Sequence, residues 1–438
     1  MAIPIVTQLK AKVANWPYWL ISILAAIAAF GAYTSMYAFR KAFTAGTFLG
    51  EQYWHIDYKV WLVIAQIFGY MLSKFYGIRF IAEIRGAKRG ITILALVGVS
   101  WLALLAFAVT PAPYNIIFLF INGFPLGLIW GLVFGYLEGR RSTEFMAAVL
   151  SISFIFGSGF VKTVGQTLML VYHVNEYYMP FATGALFVLP LILFVMMLEL
   201  MPPQTPEDIA LRTERLPMTK LERKQFIARF LPGIILTLFI YVLITIMRDI
   251  RDNFNVEIWN SLGITDRTIY ARIDTQISVI VLAAMSLLIL VKKNLRAFSL
   301  IHLMIIVGCL LAGGSTVMFS HNIISPIAWM TMVGLGLYLV YVPYNAIFFE
   351  RLIATFHYKS NVGFLIYLAD SIGYLGSVSV LLVKELGRPT ISWAEFFKEG
   401  AIVVSIVGGV CGLLSLLYFY RSARNKAVAD AASNIVTL

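Results

Sequence analysis

Four basic positions stand where an apolar sequence tolerates charge least. Arg40 and Lys41 are side by side in YTSMYAFRKAF (33–43), directly after the run WLISILAAIAAFGA. Lys74 lies in GYMLSKFYG, Lys162 in GSGFVKTVGQ and Arg248 in ITIMRDIRD. A charge within a membrane span is costly, so it usually faces a cavity or a partner. The planar guanidinium fork suits phosphate or carboxylate, because it can make two parallel charge-assisted hydrogen bonds. Two arginines from opposite halves of the chain could clamp one dianion. Left empty they would repel, so anion binding would favour closure around the ligand. Snorkelling to the headgroups is the competing reading for Arg40, Lys41, Arg248 and Lys74. It suits Lys162 less well, because Ser158, Thr163 and Gln166 accompany it on nearby turns.

Asp370, in IYLADSIGYLG, is the one acid deep in a span. It is the candidate to balance a basic residue or to carry a coupling proton. Asp249, Arg251 and Asp252 follow Arg248 and read as a solvated network on the outer face. Tyr37 and Tyr241 are candidate substrate contacts, with Tyr33, Tyr338, Tyr341, Tyr344 and Tyr367 as further cavity liners. Glu83, Glu138, Arg140, Glu350 and Arg351 fall at cytoplasmic helix ends, where they could latch the halves in one conformation. Two isolated cysteines, Cys309 and Cys411, exclude a disulfide framework or zinc motif. No P-loop and no nucleophile or metal-ligand constellation is present, so an enzyme or ATP-driven pump is not expected. No cofactor or metal is expected either.

The elements that position these residues are membrane helices. Of 438 residues, 60% are hydrophobic and 13% charged, and mean hydropathy is +0.84. A soluble domain carries about 25% charged residues, and a helical span needs about 20 apolar ones. Apolar runs predict twelve spans: 17–41, 58–78, 91–110, 114–137, 145–172, 178–201, 230–250, 273–291, 297–319, 324–349, 361–384 and 398–420. Glycines 123, 127, 131 and 135 recur at every fourth position, a surface for close helix packing. The net charge of +12 reflects basic cytoplasmic loops rather than nucleic-acid binding. The bias of Lys and Arg to alternate loops places both termini in the cytoplasm.

A polar segment, 202–229, divides the chain into a six-helix half at 1–201 and another at 230–438. It reads as a partly helical cytoplasmic linker. Tyr33 precedes Arg40 by seven residues, and Tyr241 precedes Arg248 by seven, at matching places in the two halves. Glu138 and Glu350 form a weaker echo. The expected fold is therefore an all-α integral membrane protein, twelve helices in two pseudo-symmetric six-helix bundles.

At these residues the chain resembles the major facilitator superfamily, and within it the organophosphate:phosphate antiporter branch. YAFRKAF matches that branch's helix 1 at Tyr37, Arg40 and Lys41. Ser73, Lys74 and Phe75 match its helix 2, and Tyr241, Val242, Leu243 and the later Arg248 its helix 7. The resemblance implies phosphate contacts by Arg40 and Arg248, supported by Lys41 and Lys74. Three features depart from the pattern. Arg248 lies four residues late relative to YVL, and Lys162 occupies the region of a helix 5 histidine. The loop EIRGAKR keeps Glu83, Gly86 and Lys88 but has Arg79 where glycine is usual. The expected placement is a bacterial subgroup of that superfamily.

The function expected is alternating-access secondary transport of a small organic anion, a phosphate ester or phosphonate-like molecule, with exchange for phosphate as one mode. The alternatives are a proton-coupled carboxylate or zwitterion transporter using Asp370, and a transporter-like sensor without flux. The expected setting is a multi-pass monomer in the bacterial inner membrane. Its partners are the anionic substrate and the lipid bilayer, without nucleic acid.

Overall fold

The structure, a computed structural model, describes the backbone at residues 4–83, 88–211, 220–356, 363–387 and 390–436. Side chains are described within 8–76, 88–208, 224–356, 369–387 and 390–425. Twelve long helices are numbered here. In the first half these are α1 (Tyr18–Arg40), α2 (Tyr58–Glu83), α3 (Arg89–Val109), α4 (Ile116–Leu137), α5 (Thr143–Leu170) and α6 (Met179–Glu199). The second half supplies α7 (Lys220–Asn253), α8 (Ile269–Ile289), α9 (Asn294–Ser320), α10 (Pro326–Phe356), α11 (Gly363–Gly387) and α12 (Trp393–Asn425).

Ten of them, by length and hydropathy of their described residues, can cross a membrane. The other two, α2 and α11, are equally long but carry polar side chains. These are Lys59, Gln66 and Lys74 in α2, and Asp370, Lys384 and Glu385 in α11. Among the described residues the protein is an all-α membrane protein, with ten helices suited to crossing a membrane and two more of similar length where twelve spans were expected.

Some helices outrun their apolar cores. Helix α7 begins at Lys220 rather than 230, since KLERKQ is made of good helix formers. The linker also contains a short helix, Pro206–Leu211. Its Thr205 hydroxyl accepts from the Asp208 N–H (3.1 Å), and the Asp208 carboxylate accepts from the Thr205 N–H (3.0 Å), a reciprocal cap. Helix α10 runs to Phe356 through a π-helical segment at Tyr344–Phe348. Such segments often mark functional sites.

The chain forms two compact units. The first comprises Met1–Arg212, Asp249–Leu282 and Tyr374–Phe397; the second comprises Thr213–Arg248, Ala283–Gly373 and Lys398–Leu438. In the first, α1 packs on α5 and α6, and α2 packs on α4. The glycine stripe explains the α2–α4 approach. A Cβ at Gly123 would lie 2.3 Å from the Gln66 carbonyl oxygen, and one at Gly127 would lie 1.7 Å from Ser73 Oγ. In the second unit, α9 packs on α10 and α12.

Candidate functional site

Helix α1 ends at Arg40, and the chain turns through a 3-10 segment, Ala42–Ala45, with Phe39 through Ala45 all buried. The Arg40 side chain is 7% exposed. Its guanidinium carbon lies 3.8 Å from the Tyr70 ring centre and 5.8 Å from that of Tyr37. Its Nε is buried without a hydrogen-bond partner, and no carboxylate among the described residues pairs with it. Lys74 Nζ lies 5.1 Å from the centre of the same Tyr70 ring. Tyr374 meets Tyr70 edge-on at 5.3 Å. A buried cation on aromatic faces keeps its hydrogen-bonding edge for an acceptor. The sequence flagged Arg40, Lys74 and Tyr37 but not Tyr70 or Tyr374. The spacing of Tyr70 four residues before Lys74 could have found it.

Lys41 and Lys162 meet elsewhere in the same unit. Lys41 Nζ lies 2.9 Å from one oxygen of Asp252, and Lys162 Nζ 2.7 Å from the other. Ser158, one turn before Lys162, also donates to Asp252, and Lys41 donates to Asn253 Oδ1 at 2.6 Å. A second buried pair, Arg251 Nη2 with Asp274 Oδ1 at 2.8 Å, sits where α5 meets α8. There a Cβ on Gly159 would strike the Tyr270 carbonyl at 2.3 Å. Asp249 accepts from Ser377 at 2.8 Å.

The expectation of a solvated network at Asp249, Arg251 and Asp252 is therefore corrected: they are 4%, 1% and 7% exposed. Cations from α1 and α5 and an acid from α8 replace the water they would otherwise need. Sequence spacing along α7 carries no trace of partners so distant in the chain.

Beyond the membrane-spanning segments, two further carboxylates are held. Glu257, in the short helix Asn255–Ser261, takes Lys59 Nζ at 2.5 Å. Burial pushes its carboxyl up, while Lys59 pulls it down. Asp208 accepts from the Arg141 N–H at 2.9 Å and the Tyr18 hydroxyl at 3.2 Å. Burial alone would raise its carboxyl, but the hydrogen bonds from Arg141 and Thr205 hold it below the ordinary value.

In the second unit, the Arg248 guanidinium carbon stands 4.0 Å over the Tyr341 ring, and the residue is 8% exposed. Tyr341 stacks on Tyr241 at 5.7 Å, and the Tyr241 hydroxyl donates to Asp370, itself buried. Asn345, inside the π-helical segment, donates to the Tyr341 carbonyl at 3.1 Å and reaches the Tyr241 hydroxyl at 3.4 Å. Arg40 and Arg248 thus lie on tyrosine faces in the same manner, each within its own unit.

Of the candidate latch residues, Glu138 offers its backbone carbonyl to Gln204 (2.8 Å). Arg140 reaches the Pro202 carbonyl at 2.5 Å, and Arg351 donates to Asn294 Oδ1 at 2.9 Å. Glu350 is half-buried at the start of the last segment of α10. The Glu83 and Tyr367 side chains lie outside the described residues.

The long apolar helices and their buried cations belong to a membrane-protein fold that solved structures share. A D-xylose-proton symporter superposes with a TM-score of 0.57 at 13% identity, covering 92% of this chain and 97% of the other. A peptide transporter, POT, in complex with alafosfalin superposes at 0.58 and 13% identity, covering 96% and 99%. The fold is thus one that these two transporters share. The chain belongs to the family of unknown function DUF5690, which it matches over residues 42–422. No curated protein matches the sequence.

Proposed function

We propose that the protein moves a small organic anion, a phosphate ester or phosphonate-like molecule, by alternating access, with exchange for phosphate as its mode. The observation that carries this reading is Arg40: a buried guanidinium on Tyr70 with no carboxylate partner among the described residues. Desolvating such a charge is unfavourable unless an anion joins it. Phosphate, with several acceptor oxygens, answers the fork best.

The match of Tyr37, Arg40, Lys41 and Lys74 to the organophosphate:phosphate antiporter pattern supports the same class. Arg248 on Tyr341 would present a second anion-binding guanidinium within its own unit. Lys41 and Lys162, already on Asp252, would act through that carboxylate. The two sequence halves, 1–201 and 230–438 about the linker 202–229, would be the inherited repeat. The protein would act as a monomer in a bacterial inner membrane with both termini cytoplasmic.

One observation favours the second reading, proton-coupled carboxylate or zwitterion transport: the buried contact between Asp370 and the Tyr241 hydroxyl. A proton symporter also shares the fold. Proteoliposomes separate the two. Uptake of labelled phosphate driven by internal phosphate, and unchanged by a pH gradient, is the expected result. Uptake that requires the gradient and is lost in Asp370→Asn would replace the exchanger with the proton-coupled reading. Binding without flux in either format would leave a sensor.

A further inference from the structure

The end of helix α1 is not written locally. After Arg40 come Lys41, Ala42, Phe43, Thr44 and Ala45, with neither glycine nor proline before Gly46. Glycine at the first position past the helix is the usual stop, and none is there. Helix ends leave carbonyls without intrahelical partners, and this end is buried away from water. The last two carbonyls are nonetheless satisfied. Gln66 Nε2 donates to the Arg40 carbonyl at 2.6 Å, and Asn122 Nδ2 donates to the Phe39 carbonyl at 2.9 Å.

The two amides also bind each other, Gln66 Nε2 to Asn122 Oδ1 at 2.8 Å. Asn122 is braced from α3: its Nδ2 reaches the Ser100 carbonyl at 3.0 Å, and Ser100 Oγ donates to the Asn122 carbonyl at 3.1 Å. Gln66, Ser100 and Asn122 are 2%, 0% and 0% exposed. Gly123, beside Asn122, admits the α2 backbone closely enough for the two amides to meet.

We infer that Gln66 and Asn122 are positioning residues for Arg40: they cap α1 from two other helices, stop it at Arg40, and so aim the guanidinium. Their role in anion binding rests on the reading of Arg40 given above. A buried amide in an apolar helix needs partners, and here those partners are the two carbonyls that end α1. Removing the cap frees the last turn, and Arg40 then loses its place on Tyr70.

The test uses the full-length protein in detergent, with Gln66→Met, which keeps volume but removes the donor, and Asn122→Ser. Two readouts are taken. The first is phenylglyoxal modification of Arg40 without ligand, read by peptide mass against exposed Arg421. The second is affinity for inorganic phosphate, measured also in an Arg40→Ala background. Expected are a several-fold rise in Arg40 modification in each variant, with Arg421 unchanged, and phosphate affinity weaker by about tenfold. In the Arg40→Ala background neither substitution should weaken phosphate further, although each still lowers Tm. Unchanged Arg40 modification in both variants overturns the inference. So does an equal loss of phosphate affinity with and without Arg40. A rise in modification together with no phosphate binding by the parent would leave the positioning role standing and remove the anion reading. If Gln66→Met fails to fold, Asn122→Ser alone decides on the same two readouts.

Discussion

The Arg40 guanidinium carbon lies 3.8 Å from the centre of the Tyr70 ring, 7% exposed and without a carboxylate partner among the described residues. A cation–π contact offsets part of the desolvation of a buried cation but leaves its N–H donors unanswered. On the proposed reading, that edge of the guanidinium is where the anion would bind.

Removing that charge should weaken the anion response without eliminating it. Arg40→Ala is expected to weaken phosphate binding by about 10- to 100-fold, the range of one or two hydrogen bonds to a charged group. Arg40→Lys should recover only part of it, because an ammonium lacks the fork. Thermal shift against phosphate titration reads both. Equal stabilisation of the parent and both variants would sink the idea.

Asp252 neutralises two lysines at once, at 2.7 and 2.9 Å. Asp252→Ala leaves both buried and unpaired, and should destabilise the protein by about 3–5 kcal/mol. Adding Lys162→Met should restore part of the loss, since one uncompensated charge disappears. Chemical or thermal unfolding of the four proteins in the cycle gives the coupling, and strict additivity would contradict a shared network.

Gly123 meets the α2 backbone with no room for a methyl group. Gly123→Ala should cost about 1–3 kcal/mol through forced separation of α2 and α4. At Gly98, where a Cβ would meet nothing within 4 Å, alanine should leave Tm unchanged or slightly higher. A matched pair of melting curves checks this.

Asp208 docks the linker helix to the Arg141 N–H and the Tyr18 hydroxyl. Its folded carboxyl is held below the ordinary range, so the docking contributes fully above about pH 4, the unfolded value. The contribution is lost as pH falls through the lower folded value. Asp208→Asn should therefore lower Tm near neutrality and narrow the gap to the parent in strong acid. A gap that stays constant across that window would contradict the linkage.

Much of this was legible in the chain. Apolar length announces the spans, and the structure shows twelve long helices with α1 only one residue shorter at each end than its apolar run. The exposed cost of charge in an apolar segment singled out Arg40, Lys74, Lys162 and Arg248. Gln66 and Asn122 carry the same mark, polar groups in apolar helices, yet an uncharged amide stands out less than a lysine. Tyr70 and Tyr374 could not be distinguished from the other tyrosines by type.

The sequence by itself determined the class of element, because burial of an apolar side chain depends on its own hydropathy and spacing. It could not decide pairing. Lys41 and Lys162 are chemically equivalent to Lys74, yet two of the three rest on Asp252, more than two hundred residues from Lys41. The stop at Arg40 is likewise absent from its own neighbours and comes from α2 and α4. Only tertiary structure settles such matters, since a hydrogen bond or ion pair is fixed by where two helices cross and the chain between them says nothing of that crossing.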